Sequence, residues 1–190
     1  MRNLKECLAE SGIIVREPKV FIFGTYEECK SMFVESFKMV DKTIKNFEYL
    51  DEYDSVVKWM VNTDGKGLLM AGSCGRGKSV ILNGVLPLLF RARFNKVLRP
   101  VAARNLHEIK EYPAFIVVDD IGQDEIVNNY GTKVDAVEDF ISEAEDKMKL
   151  LLLTSNLTGK QIRDRYGERI YDRINRLCNV VVFTGKSKRK

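Results

Sequence analysis

The chain has 190 residues, 45% of them hydrophobic and 31% charged, with a formal net charge of +4; this balance can close a core and excludes a disordered polypeptide. No apolar run is long enough to span a bilayer and Met1–Glu6 lacks the apolar stretch of a signal peptide, so a cytoplasmic location and no membrane partner are expected. Cys7, Cys29, Cys74 and Cys178 form no C-x-x-C pair and His107 is the sole histidine, which argues against a zinc site or a disulfide framework.

Leu4, Cys7 and Leu8 predict a short opening helix that stops at Gly12, and Ile13-Ile14-Val15 and Val20-Phe21-Ile22-Phe23 read as strands separated by Pro18. Thr25 followed by Glu28 is a capping-box signature, because hydroxyl and carboxylate satisfy free amides at a helix start. Phe33, Phe37, Val40, Ile44 and Phe47 then recur at four- and three-residue spacing as one apolar helical stripe. That stripe packs on the following domain or docks a partner, packing being the favoured reading. Residues 1–46 are therefore set apart as an N-terminal extension, a candidate partner-docking segment, from a domain over residues 47–190.

From about Asp51 the pattern alternates between helix and strand. A helix through Val56, Val57, Trp59 and Met60 ends at Asn62-Thr63-Asp64-Gly65. Leu68–Ala71 reads as a buried parallel strand entering a glycine loop. An apolar helix runs from Lys78 through Ile81, Leu82, Val85 and Leu88, and Pro87 is expected to kink or divide it. Further strands are predicted over Lys96–Ala102, Ala114–Val118, Leu150–Thr154 and Val180–Phe183. Val134, Val137, Ile141, Ala144 and Met148 mark an amphipathic helix before the last two. Strands separated by helices predict an α/β fold whose parallel sheet is covered on both faces.

The loop Gly72-Ser73-Cys74-Gly75-Arg76-Gly77-Lys78-Ser79 matches G-x-x-x-x-G-K-[ST] between a predicted strand and a predicted helix. A chance match in a chain of this length is roughly a one-in-a-hundred event, so the loop is read as a phosphate cradle for ATP with Mg²⁺. Its glycines let backbone amides close around phosphate oxygens, and the following helix adds its positive end. Lys78 should reach the terminal phosphates, and the Ser79 hydroxyl should ligate Mg²⁺. The apolar strand ending in Asp119-Asp120 places Asp119 to hold Mg²⁺ and Asp120 to orient or deprotonate the attacking water. Aspartate at the second position is shorter than the glutamate often found there. Asn156, just past Leu150–Leu153, is a candidate contact to the terminal phosphate or the water, with an ordinary turn residue as the plain alternative. The basic residues Arg163, Arg165, Arg169, Arg173, Arg176, Lys186, Lys188, Arg189 and Lys190 form either a solvated surface or a contact for nucleic acid or a neighbouring subunit.

In order and spacing these pieces resemble the AAA+ ATPases, specifically the bacterial replicative-helicase loaders of the DnaC/DnaI group and their IstB-like relatives. Val117-Val118-Asp119-Asp120-Ile121-Gly122 looks like the family's second nucleotide motif, and Thr154-Ser155-Asn156 looks like its sensor segment. Tyr166–Ile174 looks like its arginine-finger box, and Gly185–Arg189 is similar to its basic terminus. Phe47-Glu48-Tyr49-Leu50 is a looser match to the aromatic segment before the first ATPase helix. The resemblance covers residues 47–190 and implies a P-loop NTPase of AAA+ type without a C-terminal helical lid. It casts Asp120, Asn156 and Arg173 as catalytic, with Arg173 reaching a neighbour's nucleotide. The implied function is a Mg²⁺-dependent ATPase that loads or remodels a replicative helicase in DNA replication, assembling as a homo-oligomer on ATP binding. The partner is the helicase or another DNA-processing protein, with single-stranded DNA as a candidate ligand. An IstB-like transposition helper and a nucleotide-gated module that barely hydrolyses ATP are the alternatives.

Overall fold

The computed structural model describes the chain apart from residues 1–2, 13–16, 44–45, 125–126, 130–131, 135 and 189–190. The predicted strand Ile13–Val15 and the stripe position Ile44 lie outside the described residues. After α1 (Leu4–Glu10), the chain enters α2 (Tyr26–Val40) through the predicted capping box, with the Thr25 N–H donating to the Glu28 carboxylate at 2.8 Å. Phe33 and Phe37 are buried, but the helix stops at Val40, and Phe47 meets Phe37 from the following loop at 5.2 Å between ring centroids. The apolar stripe is therefore one helix face plus a returning loop.

Val20–Phe23 keeps the period of a strand, with Phe21 and Phe23 buried and Val20 and Ile22 exposed, yet it pairs with no strand among the described residues. Its backbone is bonded instead to α3 (Asp51–Val61) and the turn after it. Phe23 N–H donates to Met60 O, Thr63 N–H to Phe21 O, and Phe21 N–H to the Thr63 hydroxyl.

β1 (Gly67–Gly72) leads through the glycine loop into α4 (Lys78–Val80), a π-turn (Ile81–Val85) and α5 (Leu86–Phe94), wound without a break. The interruption expected at Pro87 takes the form of this wider turn just before it, in which Leu86 N–H bonds to Ile81 O, five residues back. Proline lacks an N–H and its ring crowds the carbonyl four residues earlier; a π-turn relieves both at once. β2 is only Val101–Ala102 rather than Lys96–Ala102, because Pro100 has no N–H to give to the ladder. A 3₁₀ helix (Ala103–Glu108) leads on to β3 (Ile116–Ile121).

A hairpin of β4 (Val127–Asn129) and β5 (Thr132–Val134) follows, then α6 (Ala136–Asp146). Val134 therefore belongs to a strand, not to the predicted helix, and Met148 lies past the helix end at φ 47°. β6 (Leu151–Ser155), α7 (Gly159–Leu177) and β7 (Cys178–Phe183) complete the chain order. A second capping box, Thr158 with Gln161, starts α7, and Gly167 at φ 81°, ψ 164° kinks it.

The five-stranded sheet has the order β2-β3-β6-β1-β7, every pair parallel. Alternation sends Leu68 and Met70 to one face, under α2, α3 and α5, and Leu69 and Ala71 to the other, under α6 and α7. Helices on both faces of a parallel sheet in this order make a P-loop NTPase-like α/β fold. One aromatic cluster crosses residue 46, since Phe21, Phe23, Phe33 and Phe37 pack in the same core as Tyr53, Trp59, Phe90 and Phe183.

Candidate nucleotide site

In parallel α/β sheets, ligands collect where the strands end, and here β1, β3 and β6 deliver Gly72, Asp119-Asp120 and Asn156 to one edge. The loop after β1 turns through left-handed glycines. Gly75 has φ 70° and Gly77 φ 88°, a region costly for residues with a Cβ. A Cβ on Gly77 would stand 2.7 Å from the Tyr53 hydroxyl and 2.9 Å from the Phe37 ring, so nothing larger than glycine fits. Arg76 is tied down beside it, its Nε donating to the nearly buried Glu52 carboxylate at 2.7 Å. Ser73, half-buried Ser79 and exposed Cys74 complete the loop.

The Lys78 ammonium is buried and donates to Gly72 O at 2.9 Å, Ser73 O at 2.7 Å and Asn156 Oδ1 at 2.9 Å. Asn156 then donates from Nδ2 to Asp120 Oδ1 at 2.6 Å. One amide thus connects the glycine loop to the acidic end of β3. The two acids are ordered by the Thr154 hydroxyl, which accepts from Asp120 N–H at 2.8 Å and donates to Asp119 Oδ1. Asp120 sits at φ 64°, within a register shift between Val118 and Ile121 that turns consecutive acids to different neighbours.

Several site residues were missed by the sequence reading. Asn83 Nδ2 donates to Asp119 Oδ2 at 2.7 Å, so both oxygens of that carboxylate are engaged. Asn83 follows Ser79 by four residues, a helical spacing that hints at a shared face; the π-turn that carries it was not legible. Beyond the acids, Gly122 N–H donates to Asp124 Oδ1 at 2.8 Å and to the Tyr166 hydroxyl at 2.7 Å, while Arg165 Nη2 reaches Asp124 Oδ2 at 2.9 Å. Burial pushes the Asp124 carboxyl up, but hydrogen bonds from Tyr166, Arg165 and Gly122 outweigh it and hold the group below the usual carboxylate range. Burial, and then the hydrogen bond to Asp124, raise the Tyr166 hydroxyl, which stays protonated as a donor. This cluster ties the turn after β3 to the first half of α7.

Arg173 is not gathered with these groups. It lies in the second half of α7, where its Nη1 donates to the Ser142 hydroxyl at 2.6 Å and its Nε pairs with Glu145 at 2.8 Å, both on α6. The same Glu145 carboxylate pairs with Arg176. Lys188 is likewise engaged, with Glu48 at 2.8 Å.

Fold and loop together define the class, a P-loop NTPase-like α/β protein. No family model matches the chain, and no curated protein matches it. A similar solved structure is that of a protein described provisionally as a primosome component, from Streptococcus pyogenes serotype M3. It is 12% identical, with a TM-score of 0.47, over 89% of the present chain and 86% of that one. The fold class rests on the strand order and the covering helices.

Proposed function

We propose that the chain binds ATP with Mg²⁺, hydrolyses it, and acts in DNA replication as a helicase loader or remodeller of AAA+ type. The observation that carries the reading is the Asn156 bridge between the Lys78 ammonium and the Asp120 carboxylate, because it joins the ends of three strands at one point. The residues fit the ligands. Left-handed glycines leave backbone amides uncovered by side chains, and a hydroxyl with one carboxylate, Ser79 with Asp119, suits a cation that takes its remaining ligands from phosphate and water.

Bound Mg²⁺-ATP would supply the scissile phosphoanhydride and a cation that neutralises charge on it. Lys78 binds and neutralises the terminal phosphates, and Ser79 and Asp119 hold the metal. Asp120 orients or deprotonates the attacking water, and Asn156 keeps ammonium and carboxylate in register. The ordered motifs resembling helicase loaders support the replication role. A nucleotide-gated module with little turnover is the second reading, favoured by the pairing of Arg173 with Glu145 inside its own chain. Titration with a fluorescent ATP analogue tests the core of the proposal. Lys78→Ala should lose detectable binding, and retained affinity in that variant would sink it.

A further inference from the structure

The glycine loop is held from its outer side by two groups that the motif does not contain. Gly75 O accepts from Lys188 N–H at 2.9 Å, and Arg76 O accepts from the Tyr53 hydroxyl at 3.0 Å. In a planar trans peptide, a carbonyl and the N–H that follows it point in opposite directions, and no described peptide is cis. Pinning Gly75 O outward therefore turns the Arg76 N–H inward, and pinning Arg76 O does the same for the Gly77 N–H. A third peptide obeys the same geometry: Ser73 N–H bonds outward to Phe183 O at 2.8 Å, and Gly72 O faces the opposite way, where Lys78 Nζ meets it at 2.9 Å.

We propose that Tyr53 and the segment after β7, through the Lys188 backbone N–H, are positioning elements for nucleotide binding, setting the Arg76 and Gly77 amides to face the phosphates. This rests on the ATP-binding reading of the loop. Amides oriented in advance lose less freedom when an anion docks, so the gain is in affinity rather than in new contacts.

Both elements are anchored well enough to serve. Phe183 O holds the start of the segment to Ser73, Arg76 Nη1 reaches Lys186 O at 3.4 Å, and Lys188 Nζ meets both Glu48 oxygens at 2.9 and 2.8 Å. The segment lies so close that a Cβ on Gly75 would stand 2.0 Å from the Ser187 hydroxyl. Tyr53 is buried, its ring 5.3 Å from Phe33 and 5.5 Å from Phe37. Burial first, and then the charge of Glu52, push its hydroxyl up to about 12, so it remains a proton donor at neutral pH. The Lys188–Glu48 pair is solvent-exposed and contributes little by itself; the backbone N–H is the contact that counts.

Full-length variants separate these roles by titration with a fluorescent ADP analogue, after urea unfolding has shown each to be folded. Tyr53→Phe removes only the hydroxyl, and Lys188→Pro removes the donor N–H together with the side chain, whose loss Lys188→Ala reads by itself; Tyr53→Phe and Lys188→Pro should each weaken binding about three- to tenfold. Lys188→Ala keeps the N–H and should stay within about twofold of the parent. If Lys188→Pro does not fold, a chain ending at Ser187 removes the same donor. Parent affinity in both Tyr53→Phe and Lys188→Pro, with Lys78→Ala inactive in binding, would overturn the positioning role and leave the ATP reading intact. Lys188→Ala losing as much as Lys188→Pro would overturn the assignment to the backbone. An unmutated chain that binds no nucleotide would remove both proposals.

Discussion

Asp119 and Asp120 are adjacent in sequence but held by different partners, and that difference should separate them in experiment. Asp119 has one oxygen on Asn83 and the other on Thr154, whereas Asp120 is bonded to Asn156. Asp119→Asn should weaken Mg²⁺-dependent nucleotide binding, while Asp120→Asn should bind Mg²⁺-ATP and lose turnover. Identical behaviour of the two in binding and steady-state hydrolysis would contradict this division. Asn83→Ala frees one Asp119 oxygen, and loss of such a supporting partner typically lowers metal affinity or activity about 10- to 100-fold. The Mn²⁺ affinity of the ADP complex, followed by electron paramagnetic resonance, reads that effect directly.

Among the elements, α2 behaves as part of the core. Phe33 is fully buried against Phe37, Tyr49 and Tyr53, so Phe33→Ala should lower stability by about 3–5 kcal/mol in urea unfolding. A loss under about 1 kcal/mol would mean that α2 is peripheral. The turn between β3 and β4 invites a pH test. The folded Asp124 carboxyl lies below its ordinary value, so its stabilising contribution is complete above the unfolded pKa of about 4 and fades as pH falls through the lowered folded value. The stability gap between the parent and Asp124→Asn should therefore be constant from neutral pH to about pH 5 and shrink below about pH 4. A gap that persists unchanged at pH 3 would show that the charge is not what holds the turn.

At the scale of the whole molecule, Arg173 decides between two readings. As a group acting on a neighbour's nucleotide, it would leave Glu145 and Ser142 on assembly, and Arg173→Ala would bind ATP yet lose most hydrolysis. Mixing Arg173→Ala with Lys78→Ala would then restore some activity, because one interface combines an intact loop with an intact arginine. As a brace between α6 and α7 it would act within its own chain. Glu145→Gln would then lower stability as Arg173→Ala does, and mixing would rescue nothing.

How much was legible differs between motif and scaffold. The loop Gly72–Ser79, the acids toward the end of β3, the polar end of β6 and the α/β alternation were all readable, because local chemistry and short-range periodicity dictate them. Tertiary structure alone decided the rest. Val20–Phe23 has the alternation of a strand, but its backbone bonds go to α3 and the turn after it. Pro87 signalled an interruption of the helix, but not that it would be a π-turn carrying an Asn83 bonded to Asp119. Val134 fell on a helical repeat, yet it belongs to a hairpin foreshadowed by the turn-prone Asn128-Asn129-Tyr130-Gly131. The basic residues after β7 read as a solvated surface or a contact for nucleic acid or a neighbouring subunit; that Lys188 bonds to Gly75 and Glu48, residues more than a hundred positions away, was not legible. Period and composition report which face of an element is buried; which distant group satisfies a given N–H or carboxylate is settled only when the chain has closed on itself.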